Sequence, residues 1–328
     1  MNIEPEEKPN SNSSSDRALA DQIQQQMQTV VSGQESAIQG LLTCLIAGGH
    51  ALLEGVPGVA KTLLVKCLAS ATDCQYSRIQ FTPDLMPNDI TGVNIFDQKE
   101  NRFQFREGPI FGDIILADEI NRAPAKTQAA LLEAMQESQV SVDGIRHDLP
   151  ELFTVVATQN PVDYEGTYPL PEAQLDRFLM KLRVPYPSAD AELEMLHRIH
   201  SLGDNAKKVE TQIQVVISQK ELAAVRSRAR ALRVEPPLMQ YIVDIIRQSR
   251  SLQNLSLGAS PRATVMLMEA AKALAALRAK DYVTPDEIQM LAYPVLRHRI
   301  RLTPEAEVEG LSPDTCIEEL LQRVPIPR

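Results

Sequence analysis

The sequence predicts an α/β fold in which a mostly parallel sheet lies between helices, followed by a region built from helices alone. The first half alternates short apolar runs with helical patterns, which is typical of parallel strands joined by helices. A glycine-containing segment, residues 55–62, joins one of these strands to a helix. Beyond Pro185 and Pro187 only helical patterns remain. These observations divide the chain near residue 185.

In the first half, strand and helix patterns follow one another in a regular order. A helix is predicted over residues 22–47, with a turn at 31–35 inside it. The other predicted elements are strands near 51–54, 76–80, 113–117, 153–158 and 180–184, with helices over 61–71 and 125–137. Two insertions, 90–108 and 139–147, are predicted to be hairpins. In the second insertion Asp143-Gly144 lies between alternating flanks, which is a hairpin turn signal.

The second half carries helix start signals. The predicted helices span 189–201, 219–232, 237–251, 261–279 and 285–292. Ser218 with Glu221, and Thr284 with Glu287, have the spacing of capping boxes, and Ser260 precedes a first-turn proline. We therefore expect a disordered polar tail over 1–16, an α/β domain over 17–185 and a helical domain over 186–328.

Composition excludes several classes of protein. The net charge of −10 disfavours a general nucleic-acid binder, which needs a basic face. No apolar run approaches the roughly 20 residues of a membrane span, and the acidic start lacks signal-peptide features. Four cysteines without a C-x-x-C pair indicate reduced thiols, so we expect a cytoplasmic protein. Two basic clusters are expected to be solvated or subunit-facing: Arg226, Arg228, Arg230 and Arg233, and Arg297, His298, Arg299 and Arg301.

Residues 55–62, Gly-Val-Pro-Gly-Val-Ala-Lys-Thr, indicate a phosphate-binding loop. Backbone N–H groups of such a loop and the positive end of the following helix attract a phosphate. Lys61 would reach the terminal phosphates and the Thr62 hydroxyl would hold Mg²⁺. An ordinary glycine-containing turn is the alternative, but it leaves Lys61-Thr62 unexplained. The expected nucleotide contacts are Gly55, Val56, Pro57, Gly58, Val59, Ala60, Lys61, Thr62 and Leu63.

A second motif is an apolar strand that ends in two acids, Asp118 and Glu119. Ligands of open α/β sheets bind beyond the carboxyl ends of the strands, so both acids are expected beside the phosphate loop. Asp118 would complete the Mg²⁺ shell, and Glu119 would polarise a water molecule. The alternative is a helix N-terminus enriched in acidic residues.

Three further residues are candidates for catalysis. Asn160 follows the strand 153–158 and would orient water at the same sheet edge, unless it only opens a turn before a proline. Arg177 is either an arginine finger that stabilises transition-state charge or a structural partner of Asp176. Arg262 lies in the first turn of a helix and could close the helical domain onto the nucleotide, or it is a surface residue.

Together these motifs resemble the AAA+ ATPases, and closely the MoxR family, over about residues 20–300. The most specific segments are GVPGVAKT (55–62), LADEINRAP (116–124), ATQNP (157–161), LPEAQLDRF (170–178) and GASPRA (258–263). In MoxR proteins alanine commonly occupies the position of Ala60. The resemblance implies an AAA+ P-loop domain of three α/β/α layers with a mostly parallel five-stranded sheet, followed by a helical lid.

The resemblance also implies a role for each candidate residue. Lys61 and Thr62 are similar to the Walker A pair, and Asp118 to the Walker B metal ligand. The remaining implied roles are catalytic base for Glu119, sensor 1 for Asn160, sensor 2 for Arg262 and arginine finger for Arg177. The finger would complete the nucleotide site of a neighbouring subunit.

The implied function is ATP hydrolysis with Mg²⁺ in a hexameric ring, coupled to chaperone-like remodelling or maturation of a protein client. Partners with a von Willebrand factor A domain are implied as well, whereas no specific nucleic acid is. Phe96, Phe103 and Phe105 of the first hairpin either grip a client or pack within the hairpin. The alternatives are a nucleotide-dependent binding switch with little hydrolysis, the ATPase subunit of a metal-chelatase-like complex and a DNA-acting motor.

Overall fold

A computed structural model describes residues 11–160, 167–202 and 213–327. The strands in chain order are β1 (Ala51–Glu54), β2 (Tyr76–Gln80), β3 (Gly92–Asp97), β4 (Arg102–Glu107), β5 (Ile114–Asp118), β6 (Gln139–Val142), β7 (Ile145–Asp148), β8 (Thr154–Gln159), β9 (Met180–Arg183), β10 (Leu255–Leu257) and β11 (Arg301–Leu302). The helices are α1 (Ser11–Gln28), α2 (Glu35–Ala47), α3 (Lys61–Ala71), α4 (Pro87–Thr91), α5 (Ala125–Glu137), α6 (Glu172–Leu175), α7 (Ala189–Leu202), α8 (Gln219–Ala231), α9 (Pro236–Ser249), α10 (Pro261–Leu277), α11 (Pro285–Leu296), α12 (Pro304–Val308) and α13 (Pro313–Arg323).

Five parallel strands form the central sheet in the order β2-β5-β8-β1-β9. Apolar side chains on both faces of the sheet are buried, which is why the inner strands β5, β8 and β1 are largely apolar runs, whereas the edge strands β2 and β9 also carry polar and charged side chains. The predicted strands and the α/β class are confirmed, and each predicted sheet strand begins and ends within one residue of the observed one. Both predicted hairpins are present, as β3–β4 and β6–β7.

The helical region packs against one side of this sheet rather than standing apart from it. Helix α10 contacts α2 and α1, and α8 contacts α2, so that one hydrophobic core runs through both regions. The sheet domain and the lid therefore share apolar surface over a wide area. Among the described residues, no helix is both long and apolar enough to cross a bilayer.

Several expectations differ from the structure. The tail predicted over 1–16 is helical from Ser11 onward, and Asp16 is buried against Arg228, so α1 begins where the polar composition indicated disorder. Residues 1–10 lie outside the described residues. The helical region also contains the small antiparallel pair β10–β11, whose strands are too short to leave an alternating pattern. The predicted capping boxes at Ser218 and Thr284 are confirmed.

The two arginine-rich clusters are solvated only in part. Arg228, Arg230, Arg233 and Arg301 are exposed as expected, but each cluster also contains buried residues. Arg226 is 4% exposed, donates to the Leu45 carbonyl and to the Thr154 hydroxyl, and so joins α8 to the sheet domain. His298 and Arg299 are also buried. Arginine can be buried in this way because its planar guanidinium group can donate hydrogen bonds to several backbone carbonyls at once.

Candidate active site

The candidate nucleotide site lies at the carboxyl edge of the central sheet. Glu54, the last residue of β1, pairs with Gln159 of β8, and Ala117 of β5 pairs with Ala157 of the same strand. The three strands therefore end side by side. The phosphate loop, the two acids and Asn160 all follow the ends of these strands at this edge, as the sequence predicted.

The phosphate loop adopts a conformation in which two residues have positive φ angles. Gly58 has φ +89° and Ala60 has φ +61°, in the left-handed region. That region costs alanine about 1–2 kcal/mol, so Ala60 carries backbone strain at the start of α3. The Lys61 ammonium donates to the carbonyls of Gly55 and Val56, and its burial lowers its pKa, which nearby Asp118 opposes.

Asp118 is held by hydrogen bonds from the side chains of Thr158 and Arg78. Its Oδ1 accepts a hydrogen bond of 2.7 Å from the buried Thr158 hydroxyl. Its Oδ2 accepts two from Arg78 of β2, at 3.1 Å from Nε and 2.6 Å from Nη2, and lies 3.5 Å from the Thr62 hydroxyl. Asp118 and Thr62, the two predicted Mg²⁺ ligands, are thus adjacent. Their hard oxygen atoms fit Mg²⁺, which usually takes one or two protein ligands together with phosphate and water.

Glu119 is held outside regular strand geometry. Its φ angle is +56°, which is uncommon for glutamate, and its N–H donates to the Thr158 hydroxyl at 2.8 Å. Its carboxylate accepts from Gln80 at 3.1 Å and from Arg122 at 2.8 Å. Strained backbone of this kind is concentrated at functional sites, where surrounding contacts maintain it. Thr158 consequently positions both acids, a role that no sequence motif indicated.

A largely apolar cavity of about 510 Å³ adjoins the phosphate loop. Its walls come from the loop between α1 and α2, from the phosphate loop itself and from α7, with Val30, Val31, Tyr186, Met195 and Ile199 among the lining residues. Gln34 also lines it and is 4% exposed. Its side-chain nitrogen donates to the Pro185 carbonyl, which leaves the side-chain oxygen without a partner. The volume and the mostly apolar lining are compatible with a purine base, whereas the sequence predicted only a turn over residues 31–35.

Arg177 and Arg262 lie together at the opposite edge of the sheet. They line a cavity of about 320 Å³ with Gly48, Gly49 and His50, which precede β1, whereas the phosphate loop follows β1. A strand of four residues is about 13 Å long, so neither arginine is beside the phosphate loop of its own chain. The expectation that Arg262 closes onto the nucleotide does not hold within one chain. Sequence alone could not show this, because it does not reveal on which side of the sheet the helical region packs.

The contacts of Arg177 argue against the alternative that it is a structural partner of Asp176. Its guanidinium donates to the carbonyl of Leu132 in α5 at 2.6 Å. Asp176, by contrast, interacts with Ser260, Arg262 and Arg299 of the helical region. Arg177 is half-buried and borders the cavity. It therefore lies at the edge of the sheet where the strands begin, the amino edge.

Comparison with known proteins agrees with this geometry. Residues 50–180 match the model of an ATPase family associated with various cellular activities, and residues 247–320 match an AAA lid domain. The chain is 42% identical over 312 residues to chaperone MoxR1 of Mycobacterium tuberculosis, covering 92% of this chain and 81% of that protein. The chain belongs to the MoxR family of AAA+ ATPases.

Two other similar proteins extend the family assignment. The uncharacterized protein YeaC of Bacillus subtilis is 49% identical over 286 residues, which is 87% of this chain and 88% of YeaC. A crystal structure of a candidate ATPase from Cytophaga hutchinsonii has a TM-score of 0.88 at 42% identity and covers 97% of each chain. The MoxR chain therefore has the AAA+ α/β fold with a helical lid, and nucleotide binding follows from the family.

Proposed function

We propose that this chain hydrolyses ATP with Mg²⁺ in a ring oligomer, in which each nucleotide site is shared by two neighbouring subunits. The observation that carries the proposal is the separation of the site into two halves on opposite edges of the sheet. The carboxyl edge holds the phosphate loop, Asp118 and Glu119, and the amino edge holds Arg177 and Arg262. A head-to-tail interface brings opposite edges of two copies together, and a closed series of such interfaces is a ring.

In this arrangement each residue has a definite task. Loop N–H groups and Lys61 bind the phosphates, and the base occupies the apolar cavity with Val30, Val31 and Tyr186. Asp118 and Thr62 hold Mg²⁺, which when bound neutralises charge on the phosphate oxygens. Glu119 accepts the proton of the attacking water, and Asn160 orients that water.

The neighbouring subunit supplies the missing positive charge. Arg177 and Arg262 of that subunit stabilise the charge that develops as the terminal phosphoryl group is transferred to water. A single chain binds ATP but hydrolyses it slowly, because both arginines are remote from its own phosphate loop. Hydrolysis is then coupled to assembly. A six-membered ring is our specific proposal for its size, and the cytoplasm for its location.

The work of the ring is proposed to be chaperone-like remodelling or maturation of a protein client, with the aid of a von Willebrand factor A domain partner. The support on this chain is the β3–β4 hairpin, where Phe96 and Phe103 are 46% and 71% exposed and contact one another edge to face. Phe105 instead stacks on His147 of the β6–β7 hairpin, with ring centroids 3.9 Å apart. The first two aromatics are thus available to a client, and the third joins the two hairpins.

The test is the ATPase rate per chain over a protein concentration series, for the wild type and for Arg177→Ala. We expect the wild-type rate per chain to rise with concentration and the variant to lose at least about a thousandfold, which is the usual effect of an arginine finger. Arg323→Ala, which removes an exposed arginine of α13, is the matched control. A rate that is flat with concentration and unaffected by Arg177→Ala would exclude a shared site.

A further inference from the structure

Asp176 lies between the finger arginine and the helical region and contacts three side chains of that region. Its Oδ1 accepts a 2.8 Å hydrogen bond from Nε of Arg299. Its Oδ2 accepts a 2.9 Å hydrogen bond from the Ser260 hydroxyl and lies 3.9 Å from Nη1 of Arg262. The carboxylate is 18% exposed, so these contacts are largely shielded from water. It therefore links the segment that carries Arg177 to the helix that carries Arg262.

Arg299 reinforces this link through the backbone around Asp176. Its guanidinium donates to the Asp176 carbonyl at 3.1 Å, to the Leu179 carbonyl at 3.2 Å and to the Phe178 carbonyl. The side chain is 1% exposed, and burial lowers the pKa of Arg299 to about 10 while Asp176 opposes the decrease. At neutral pH it remains a cation that fixes the backbone on both sides of Arg177.

Ser260 shows that the contact with Asp176 takes precedence over an ordinary helix cap. The residue occupies the N-cap position of α10, where a serine oxygen normally accepts a hydrogen bond from the first helical turn. Here no such bond is formed, and the hydroxyl donates to Asp176 instead. The start of α10, two residues before Arg262, is thus attached to the finger segment.

We propose that Asp176 is a positioning residue that presents Arg177 and Arg262 as one rigid pair to the nucleotide of the neighbouring subunit. This inference rests on the proposed shared site. Through Ser260 and Arg299 the carboxylate sets the distance between the two arginines, and its own charge orients the Arg262 guanidinium. Because both arginines act on transition-state charge, loss of the carboxylate lowers kcat and leaves the KM for ATP nearly unchanged.

Mixing of inactive subunits provides the test. Glu119→Gln lacks the catalytic base but retains both arginines, whereas Arg177→Ala retains the base and lacks the finger. In a shared site a 1:1 mixture regains activity, because random mixing joins the two intact halves at about one site in four. Asp176→Asn alone is expected to lose at least about tenfold in kcat with less than a twofold change in KM. When Asp176→Asn subunits are mixed 1:1 with Glu119→Gln subunits, activity should increase. When they are mixed with Arg177→Ala subunits, it should not.

Glu172→Gln is the matched control, since Glu172 lies in the same segment and pairs with Arg301 at 3.1 Å on the exposed surface. We expect it to behave like the wild type. Wild-type kcat in Asp176→Asn, or loss of activity that Glu119→Gln does not restore, overturns the positioning role. If Asp176→Asn does not unfold cooperatively, Ser260→Ala replaces it, with a several-fold loss expected and no loss contradicting the proposal.

The mixture of Arg177→Ala with Glu119→Gln tests the shared site itself. If Arg177→Ala with Glu119→Gln regains nothing, the site is not shared, and both the proposed function and the role of Asp176 are overturned. If Arg177→Ala with Glu119→Gln regains activity while Asp176→Asn with Glu119→Gln does not, only the role of Asp176 is overturned.

Discussion

The guanidinium of Arg78 binds Oδ2 of Asp118 through two hydrogen bonds, at 2.6 and 3.1 Å. Oδ2 is also the carboxylate oxygen nearest the Thr62 hydroxyl, on the side where Mg²⁺ would be held. Arg78 is therefore placed to compete with the metal ion for the same oxygen. The Arg78 side chain is 48% exposed, so the ion pair is weak enough to be displaced.

Replacing Arg78 by alanine should lower the Mg²⁺ concentration needed for half-maximal ATPase activity by about two- to fivefold, the value of a partly exposed ion pair. The measurement is a Mg²⁺ titration at saturating ATP. Arg78→Lys, which keeps the charge, should lie between the alanine variant and the wild type. A higher Mg²⁺ requirement in Arg78→Ala would mean that Arg78 holds Asp118 in place for the metal rather than competing with it.

Glu119→Gln should bind ATP with little change in affinity while its hydrolysis rate falls by about 10²- to 10⁴-fold, because the amide cannot accept a proton from water. Nucleotide binding is measured by fluorescence of a labelled ATP and hydrolysis by phosphate release. Glu133→Gln, a change of an exposed glutamate on α5, serves as the control and should hydrolyse normally. Substantial hydrolysis by Glu119→Gln would assign the proton acceptor to another group.

Thr158→Val should lower the free energy of unfolding by about 1–3 kcal/mol and reduce kcat, because Asp118 and the Glu119 N–H both lose a buried partner. Urea denaturation and steady-state kinetics measure the two effects. Thr158→Ser keeps the hydroxyl and should retain most of the activity. If the serine variant is as impaired as the valine variant, packing of the methyl group, not hydrogen bonding, is what matters.

His50 should make stability depend on pH. It is buried, its Nδ1 accepts from the Val155 N–H at 3.0 Å, and its Nε2 donates to the Met135 carbonyl at 3.0 Å. Burial lowers the pKa of His50 to about 4, below its ordinary 6.5. In the window between these values the unfolded chain binds a proton that the folded chain does not.

The His50 contribution is therefore complete above about pH 6.5 and decreases by about 3 kcal/mol as the pH falls towards 4. Urea unfolding at several pH values, compared between the wild type and His50→Gln, should show a shallower acid dependence in the variant. His200→Gln, a change on the exposed part of α7, should leave the dependence as it is. Equal slopes in wild type and His50→Gln would indicate that His50 titrates normally.

Local sequence patterns predicted the strands and helices well where the apolar residues of the pattern are also the residues that are buried. The strands β1, β5 and β8 are apolar runs bounded by polar residues, and the phosphate loop and the Asp118-Glu119 pair stand where such strands end. Patterns failed where tertiary contacts override composition. Arg226 and Arg299 are buried and donate to carbonyls of distant segments, and residues 11–16 are helical although their composition is polar, with Asp16 paired to Arg228.

The sequence by itself determined the fold class, the family and the candidate site residues at the carboxyl edge, because these depend on short segments whose chemistry and periodicity are local. Only the tertiary structure decided that Arg177 and Arg262 lie at the amino edge, that Thr158 and Arg78 bind Asp118, and that Asp176 joins the two arginines. These relationships depend on how the helical region packs on the sheet. That packing is set by apolar surface and buried arginines contributed by residues more than a hundred positions apart.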